Sequence, residues 1–287
     1  MNYLSFTSEI LSRIREYLPD GCEADIRKIE KNNGVEYIGI YLKRDTPEGA
    51  SPLVYAEPYY QNYENGTDLD AIAAEIAAIL IRPVPADICA NRFLDTDFLR
   101  KNIIFRLVNR ERNAALLPEL IHRDFMDLVV TYGIVMNSAA AGSGIVLVRK
   151  SMAAEWDITE QEMFELAMQN TPRIMGEDLK SMSEMLGRAA EPVEDGMYVL
   201  SNSEAFYGAS VMLYTRLLKL LAENLACDLY ILPSSVHELI ITPGESENEE
   251  FLKKLVREVN ELEVSREEVL SDSVYRYRRA EGRIVMV

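Results

Sequence analysis

Residues 197–243, MYVLSNSEAFYGASVMLYTRLLKLLAENLACDLYILPSSVHELIITP, leave little freedom in the choice of fold. The runs at 197–200 and 229–232 are apolar, bounded by Asn, Ser and Pro, and too short for helices, which is the signature of buried strands. Between them Val211, Tyr214, Leu218, Leu221 and Leu225 recur at spacings of three and four. Leu213, Leu217 and Leu220 widen that stripe enough to cover a sheet face, so one long core-facing helix is expected. Pro233 lacks the N–H that would extend a sheet ladder. Pro233-Ser234-Ser235 is therefore expected to turn the chain into a further strand over 238–242, completing a hairpin. This succession predicts an α+β fold, a mainly antiparallel or mixed sheet covered by amphipathic helices.

The same tests organise the rest of the chain. Residues 1–18 carry Phe6, Ile10, Ile14 and Tyr17 at helical spacing with Arg13, Arg15 and Glu16 among them, where an export signal would have an unbroken apolar run. Strand-like runs at 22–30 and 35–43 are joined by Lys31-Asn32-Asn33-Gly34, a hairpin signal. A third strand is expected at 53–56, with Tyr55, Tyr59, Tyr60 and Tyr63 between it and the next helix. Asp68 is placed to cap that helix, whose Leu69, Ile72, Ile76 and Ile79 form one face before Arg82-Pro83 stops it.

Two prolines make residues 82–95 a linker between an N-terminal helix-hairpin-helix lobe, 1–85, and a C-terminal α+β core lobe, 96–287; one continuous domain is the alternative. Beyond the linker, 103–108, 128–135 and 145–148 are strand candidates, the last two joined by Ala139-Ala140-Ala141-Gly142-Ser143-Gly144. Thr159 with Glu162 reads as a capping box for a helix through Met168 that Thr171-Pro172 closes. Ser246 with Glu249 repeats the device before a helix carrying Leu252, Leu255, Val259 and Leu262. Strand candidates at 274–278 and 284–287 follow.

Composition narrows the function classes. With 287 residues, 48% of them hydrophobic, the chain can bury one substantial core or two smaller ones. A formal charge of -17 repels a phosphate backbone, so nucleic acid is not an expected partner. No run reaches the roughly 18 apolar residues that cross a bilayer, so no membrane association is expected. Cys22, Cys89 and Cys227 are an odd number at wide separations, neither a disulfide framework nor a CxxC pair, which fits a reducing, cytoplasmic location.

Several local motifs occur together: PYYQNYENG at 58–66, HRDFMDLVV at 122–130, MYVLSN at 197–202, GASVML at 208–213, ILPSSVHE at 231–238 and LSDSVYRY at 270–277. In this combination the chain resembles an uncharacterised bacterial family, Domain of Unknown Function 5688, over nearly its whole length. The second half also resembles small YtpQ-like proteins. The resemblance implies a bacterial origin and brings no established reaction, ligand or partner.

Possible chemistry centres on the two histidines, the side chains that titrate near neutral pH without perturbation. In Pro233-Ser234-Ser235-Val236-His237-Glu238 an extended backbone puts Ser235 and His237 on one face, a candidate nucleophile and base with Glu238 beside them. Residues two apart on a strand are roughly 6 to 7 Å apart, whereas a base must come within about 3 Å of its hydroxyl, so such a pair needs a bend. There is no GxSxG elbow. The plainer reading makes the serines turn caps and gives the imidazole a backbone partner.

Other motifs are weaker. His122-Arg123-Asp124 matches the start of a kinase catalytic loop, but there is no glycine-rich loop or DFG, and Val129 stands where a metal-binding asparagine belongs. A turn before a strand at 126–135 is expected there instead. The loop at 139–144 lacks the lysine of a P-loop, and Ile241 replaces the second histidine of HExxH after His237-Glu238. Neither a cofactor nor a dedicated metal site is expected.

Two surfaces are candidates for binding. Tyr59, Tyr60 and Tyr63 are placed to form an aromatic platform, and Arg276 and Arg278, with Arg279 and Arg283, make a locally basic end that would meet an acidic partner or a second copy of the chain. Inward packing of the tyrosines and charge protection of an edge strand are the plainer readings. The leading expectation is thus a non-catalytic cytoplasmic binding or regulatory protein with a protein partner; the alternative is a hydrolase centred on His237 and Ser235.

Overall fold

The computed structural model describes residues 1–43, 52–83, 95–138, 142–185, 196–244 and 249–287. The expected linker from 84 to 94 with Cys89, Ala139 to Ala141, and Ser246 lie outside the described residues. The chain divides into two compact units: Met1–Lys31, Val35–Asp95 and Met136–Gly144 make one, and Asn32–Gly34, Thr96–Val135 and Ile145–Val287 the other.

The first unit holds α1 (Tyr3–Tyr17), β1 (Glu23–Glu30), β2 (Glu36–Lys43), β3 (Leu53–Tyr55), α2 (Ala56–Glu64) and α3 (Leu69–Leu80). Its strands form an antiparallel sheet in the order β1-β2-β3, with Ile40 opposite both Ile26 and Val54. Helical periodicity decides what is buried: Phe6, Ile10 and Ile14 of α1 and Ile72, Ile76 and Leu80 of α3 join Ile40 and Leu42 in one core. Asn2 caps α1 by accepting from the Ser5 N–H, and Asp68 caps α3 by accepting from the N–H groups of Asp70 and Ala71. β3 passes directly into α2, so Tyr59, Tyr60 and Tyr63 lie on a helix and not in a connecting segment.

The second unit holds α4 (Thr96–Asn102), β4 (Ile103–Asn109), β5 (His122–Phe125), most of β6 (Leu128–Ser138), half of β7 (Gly142–Leu147), α5 (Lys150–Glu155), α6 (Glu160–Met175), β8 (Asp178–Ser181) and α7 (Met182–Met185). It continues with β9 (Tyr198–Ser201), α8 (Arg216–Leu225), β10 (Leu229–Pro233), β11 (Leu239–Pro243), α9 (Glu249–Leu262), β12 (Tyr275–Arg278) and β13 (Arg283–Met286). The larger sheet runs β13-β12-β10-β11-β9-β8 with every neighbouring pair antiparallel. In the smaller one β6 pairs with β4, β5 and β7. The fold is α+β, with antiparallel sheets and amphipathic helices, and the expected β10–β11 hairpin pairs Ile231 with Ile241.

Four local expectations are corrected. His122–Phe125 is the strand β5, and the turn lies at Met126-Asp127, where Met126 has φ 56. Its side chains do not alternate in polarity because they are fixed by charge: Arg123 is bidentate to Glu160 at 2.8 and 2.7 Å, and Asp124 pairs with Arg110 at 3.0 Å. α6 continues through Pro172 to Met175 and stops at Gly176, φ 70. The missing Pro172 N–H costs one helical bond, but the turn is tied to α4 and β4 by the Phe105 N–H donating to Thr171 Oγ1 at 3.0 Å and by Asn170 Nδ2 donating to the carbonyls of Arg100 and Ile103.

The long helix expected after β9 is two pieces, a 3₁₀ segment Gly208–Leu213 and then α8, because Tyr214 leaves helical conformation at φ -117, ψ 85. Leu218, Leu221 and Ala222 face the core while Leu220 is exposed. In α9 the inward line is Leu252, Val256 and Asn260, and Leu255, Val259 and Leu262 lie outward. A reading by hydrophobicity passes over Asn260, whose amide nitrogen donates to Ser271 O at 2.9 Å and to Asp272 Oδ1 at 2.7 Å.

Capping of α6 takes the expected form, Thr159 Oγ1 accepting from the Glu162 N–H at 3.2 Å. Thr159→Ala is expected to lower stability by about 1 kcal/mol in denaturant unfolding; an unchanged midpoint would show that the cap is replaced by water.

Candidate functional site

Three of the motif segments meet around His237. β9 ends at Ser201, and Asn202 then holds the following loop with both ends of its amide: Nδ2 donates to Phe206 O at 3.0 Å, and Oδ1 accepts from the Phe206 N–H at 3.3 Å. Within that loop Ala205 and Tyr207 both sit at φ 50, a left-handed conformation that costs a residue with a Cβ of order 1 kcal/mol or more. Gly208 follows. A Cβ there would lie 2.1 Å from Ser201 Oγ and 2.3 Å from His237 O, so only glycine lets Ser201 Oγ donate to His237 O at 2.7 Å.

The β10–β11 connection closes on itself. The Ser235 N–H donates to Glu238 O at 3.2 Å, the His237 N–H donates to Ser235 Oγ at 3.0 Å, and Ser234 Oγ donates to Glu238 Oε1 at 3.2 Å. The half-buried His237 ring turns away from this hydroxyl network. Its Nδ1 accepts from the Tyr207 N–H at 3.1 Å and its Nε2 lies 3.6 Å from Glu268 Oε1. A peptide N–H only donates, so Nδ1 carries no proton and the ring is the Nε2–H tautomer, directed at Glu268. The rings of Phe206 and Tyr207 lie 5.6 and 5.7 Å from it, and Arg106 of β4 reaches the Tyr207 hydroxyl with Nη2 at 2.6 Å.

Chemically, this arrangement orients an imidazole without pairing it to a nucleophile. The structure brings Ser235, His237 and Glu238 into one turn, but among the described residues neither ring nitrogen has a serine hydroxyl as its hydrogen-bond partner. A serine nucleophile needs that contact. Asn202, Tyr207, Gly208 and Glu268 complete the cluster and escaped the sequence reading. Tyr207 is 30 positions from His237, and only the crowding of motifs between 197 and 213 pointed there.

The remaining candidates are spread elsewhere. In the first unit Tyr59, Tyr60 and Tyr63 pack part-buried on the core; Tyr60 and Tyr63 lie 5.2 and 5.5 Å from Phe6, and Tyr59 donates to Glu75 at 3.2 Å. In the second, Arg276 pairs with Asp228 at 3.1 Å and lies over the Tyr230 ring, and Arg278 pairs with Glu281 at 2.9 Å. His122 Nδ1 is 3.0 Å from Leu120 O. Glu160, which holds Arg123, also accepts from the Tyr132 hydroxyl; burial first, and that carboxylate second, push Tyr132 far above the usual phenol range. Among the described residues no group of three or more His, Cys, Asp and Glu side chains is placed to hold a metal ion, and no helix is long and apolar enough to cross a membrane.

Two measurements check the cluster. Gly208→Ala is expected to cost about 3 kcal/mol in denaturant unfolding, because two backbone atoms, His237 O and Asn202 N, crowd the space together with Ser201 Oγ; a loss under about 0.5 kcal/mol would contradict the close approach. Long-range ¹H–¹⁵N NMR of the imidazole is expected to show His237 as the Nε2–H tautomer, and an Nδ1–H pattern would remove the Tyr207 contact.

No curated protein and no solved structure matches the chain, which leaves the YtpQ-like likeness of the second half without a counterpart. The model described as a family of unknown function, DUF5688, matches residues 3–279 of the 287, and the chain belongs to that family.

Proposed function

We propose that this chain is a non-catalytic binding or regulatory protein of the bacterial cytoplasm. The observation that carries the reading is the commitment of the His237 ring: one nitrogen accepts from the Tyr207 N–H and the other faces Glu268, while Ser235 Oγ accepts from a backbone N–H. A base must be free to take the nucleophile's proton, and this imidazole is engaged as a structural bracket between two loops. The exposed Cys22 and the half-buried Cys227, both free thiols, support a reducing compartment. The charge of -17 favours a protein or small-molecule partner over nucleic acid.

A fluorophosphonate probe, which phosphonylates activated serines with loss of fluoride, tests the reading. The protein is expected to stay unlabelled and to show no turnover with a panel of simple esters. Labelling that disappears in Ser235→Ala, with the melting temperature kept, would overturn the proposal and establish a hydrolase.

A further inference from the structure

Beside the C-terminal end of α9, the second unit contains a cavity of about 320 Å³ lined by Arg112, Arg257, Arg266, Asn260, Glu261 and Asp272, together with two valines. Its floor is unusual for a surface depression. Asn260 is 6% exposed, and its amide orientation is fixed because Nδ2 donates to two acceptors, Ser271 O and Asp272 Oδ1. That leaves Oδ1 buried with no hydrogen-bond partner among the described residues. A buried acceptor left unpaired is a standing cost to the fold.

Charge on the walls is likewise incomplete. Arg112 pairs with Asp272 at 3.2 Å, whereas no ion pair to Arg257 or Arg266 is present among the described residues. Arg257 and Arg266 are exposed at the mouth, with Glu261 as the one other carboxylate of the lining. The backbone that carries Arg266 is not loose: Asn33, which clusters with this unit, donates Nδ2 to Arg266 O at 2.9 Å and to Val269 O at 2.7 Å. The site therefore offers two guanidinium forks on a fixed rim, an exposed carboxylate beside them and a volume at the lower end of small-molecule sites, about 300 to 1,000 Å³.

We propose that this cavity binds a small phosphomonoester bearing hydroxyl groups, of the sugar phosphate or nucleoside monophosphate class. Guanidinium groups recognise phosphate through paired N–H donors, and a phosphomonoester at pH 7 carries nearly two negative charges for the two uncommitted arginines. The exposed Glu261 carboxylate of the lining accepts from a hydroxyl of the ligand. The inference rests on the reading of this chain as a binding protein, and it makes the ligand a metabolite.

Titration calorimetry on the full chain with ribose 5-phosphate, ribose and inorganic phosphate tests it. Ribose 5-phosphate is expected to bind saturably, ribose not at all, and inorganic phosphate more weakly than the ester. Arg257→Ala and Arg266→Ala, both exposed positions, are expected to keep the melting temperature and each to weaken binding about tenfold or more. Absence of binding overturns the site and leaves the non-catalytic reading intact. Binding unchanged in both variants also overturns it. Release of inorganic phosphate, lost in Arg257→Ala, would confirm the site and instead overturn the non-catalytic reading.

Discussion

Loop carbonyls that belong to no ladder must still be paired once they are buried, and in the second unit side-chain amides of asparagine supply a recurring part of that pairing, beside the backbone N–H groups of turns. Asn33, Asn109, Asn113, Asn170, Asn202 and Asn260 each donate Nδ2 to at least one main-chain carbonyl. Asn33 and Asn113 also bond each other, Asn113 Nδ2 to Asn33 Oδ1 and the Asn33 N–H to Asn113 Oδ1, both at 3.0 Å. An unsatisfied buried peptide group costs about as much as a sizeable fraction of net stability, so these amides set which loop conformations can be buried at all. Asn33 can serve because asparagine tolerates the left-handed backbone it adopts, φ 59.

A second constraint is how ionised groups enter the core. Glu160 begins α6 and receives both nitrogens of the Arg123 fork and the Tyr132 hydroxyl, tying β5 and β6 to the helix. Asp127 plays the corresponding part for the larger sheet, accepting from Ser271 Oγ at 2.6 Å and from the Tyr275 hydroxyl at 2.7 Å. Burial is the main reason that the Tyr275 hydroxyl is held far above its ordinary range, and the Asp127 charge adds to it. In each case several donors converge on one carboxylate, the condition under which a partly buried charge is tolerated.

These two constraints also explain which parts of the molecule were legible in the chain. Stripes at helical spacing and short apolar runs reported directly on burial, so α1, α3, the β10–β11 hairpin, the β12–β13 pair and the Thr159 capping box were readable. What was misread depended on polar groups acting at a distance. β5 has no apolar alternation and is held by ion pairs, α6 passes Pro172 because Thr171 and Asn170 bond β4, and α9 buries Asn260 where a leucine stripe pointed elsewhere. At the candidate site, Ser235, His237 and Glu238 were found from their adjacency. The direction of the imidazole was not, since Tyr207 and Glu268 approach it from segments about thirty positions away on either side.

The carboxylate of Asp127 has a consequence for the order in which the molecule can assemble. Its partners Ser271 and Tyr275 lie 144 and 148 positions further along the chain, and β12 takes its place beside β10 only after β11 and α9 have intervened. Contacts of such long range reward the chain only after most of its loop-closure entropy has been lost. β4 to β6 can pair locally, but Asp127 stays without its partners until the distant segment arrives. Placing β12 beside β10 therefore does two things at once: it joins β13 to the larger sheet and brings to Asp127, in the turn between β5 and β6, the donors that segment lacks by itself.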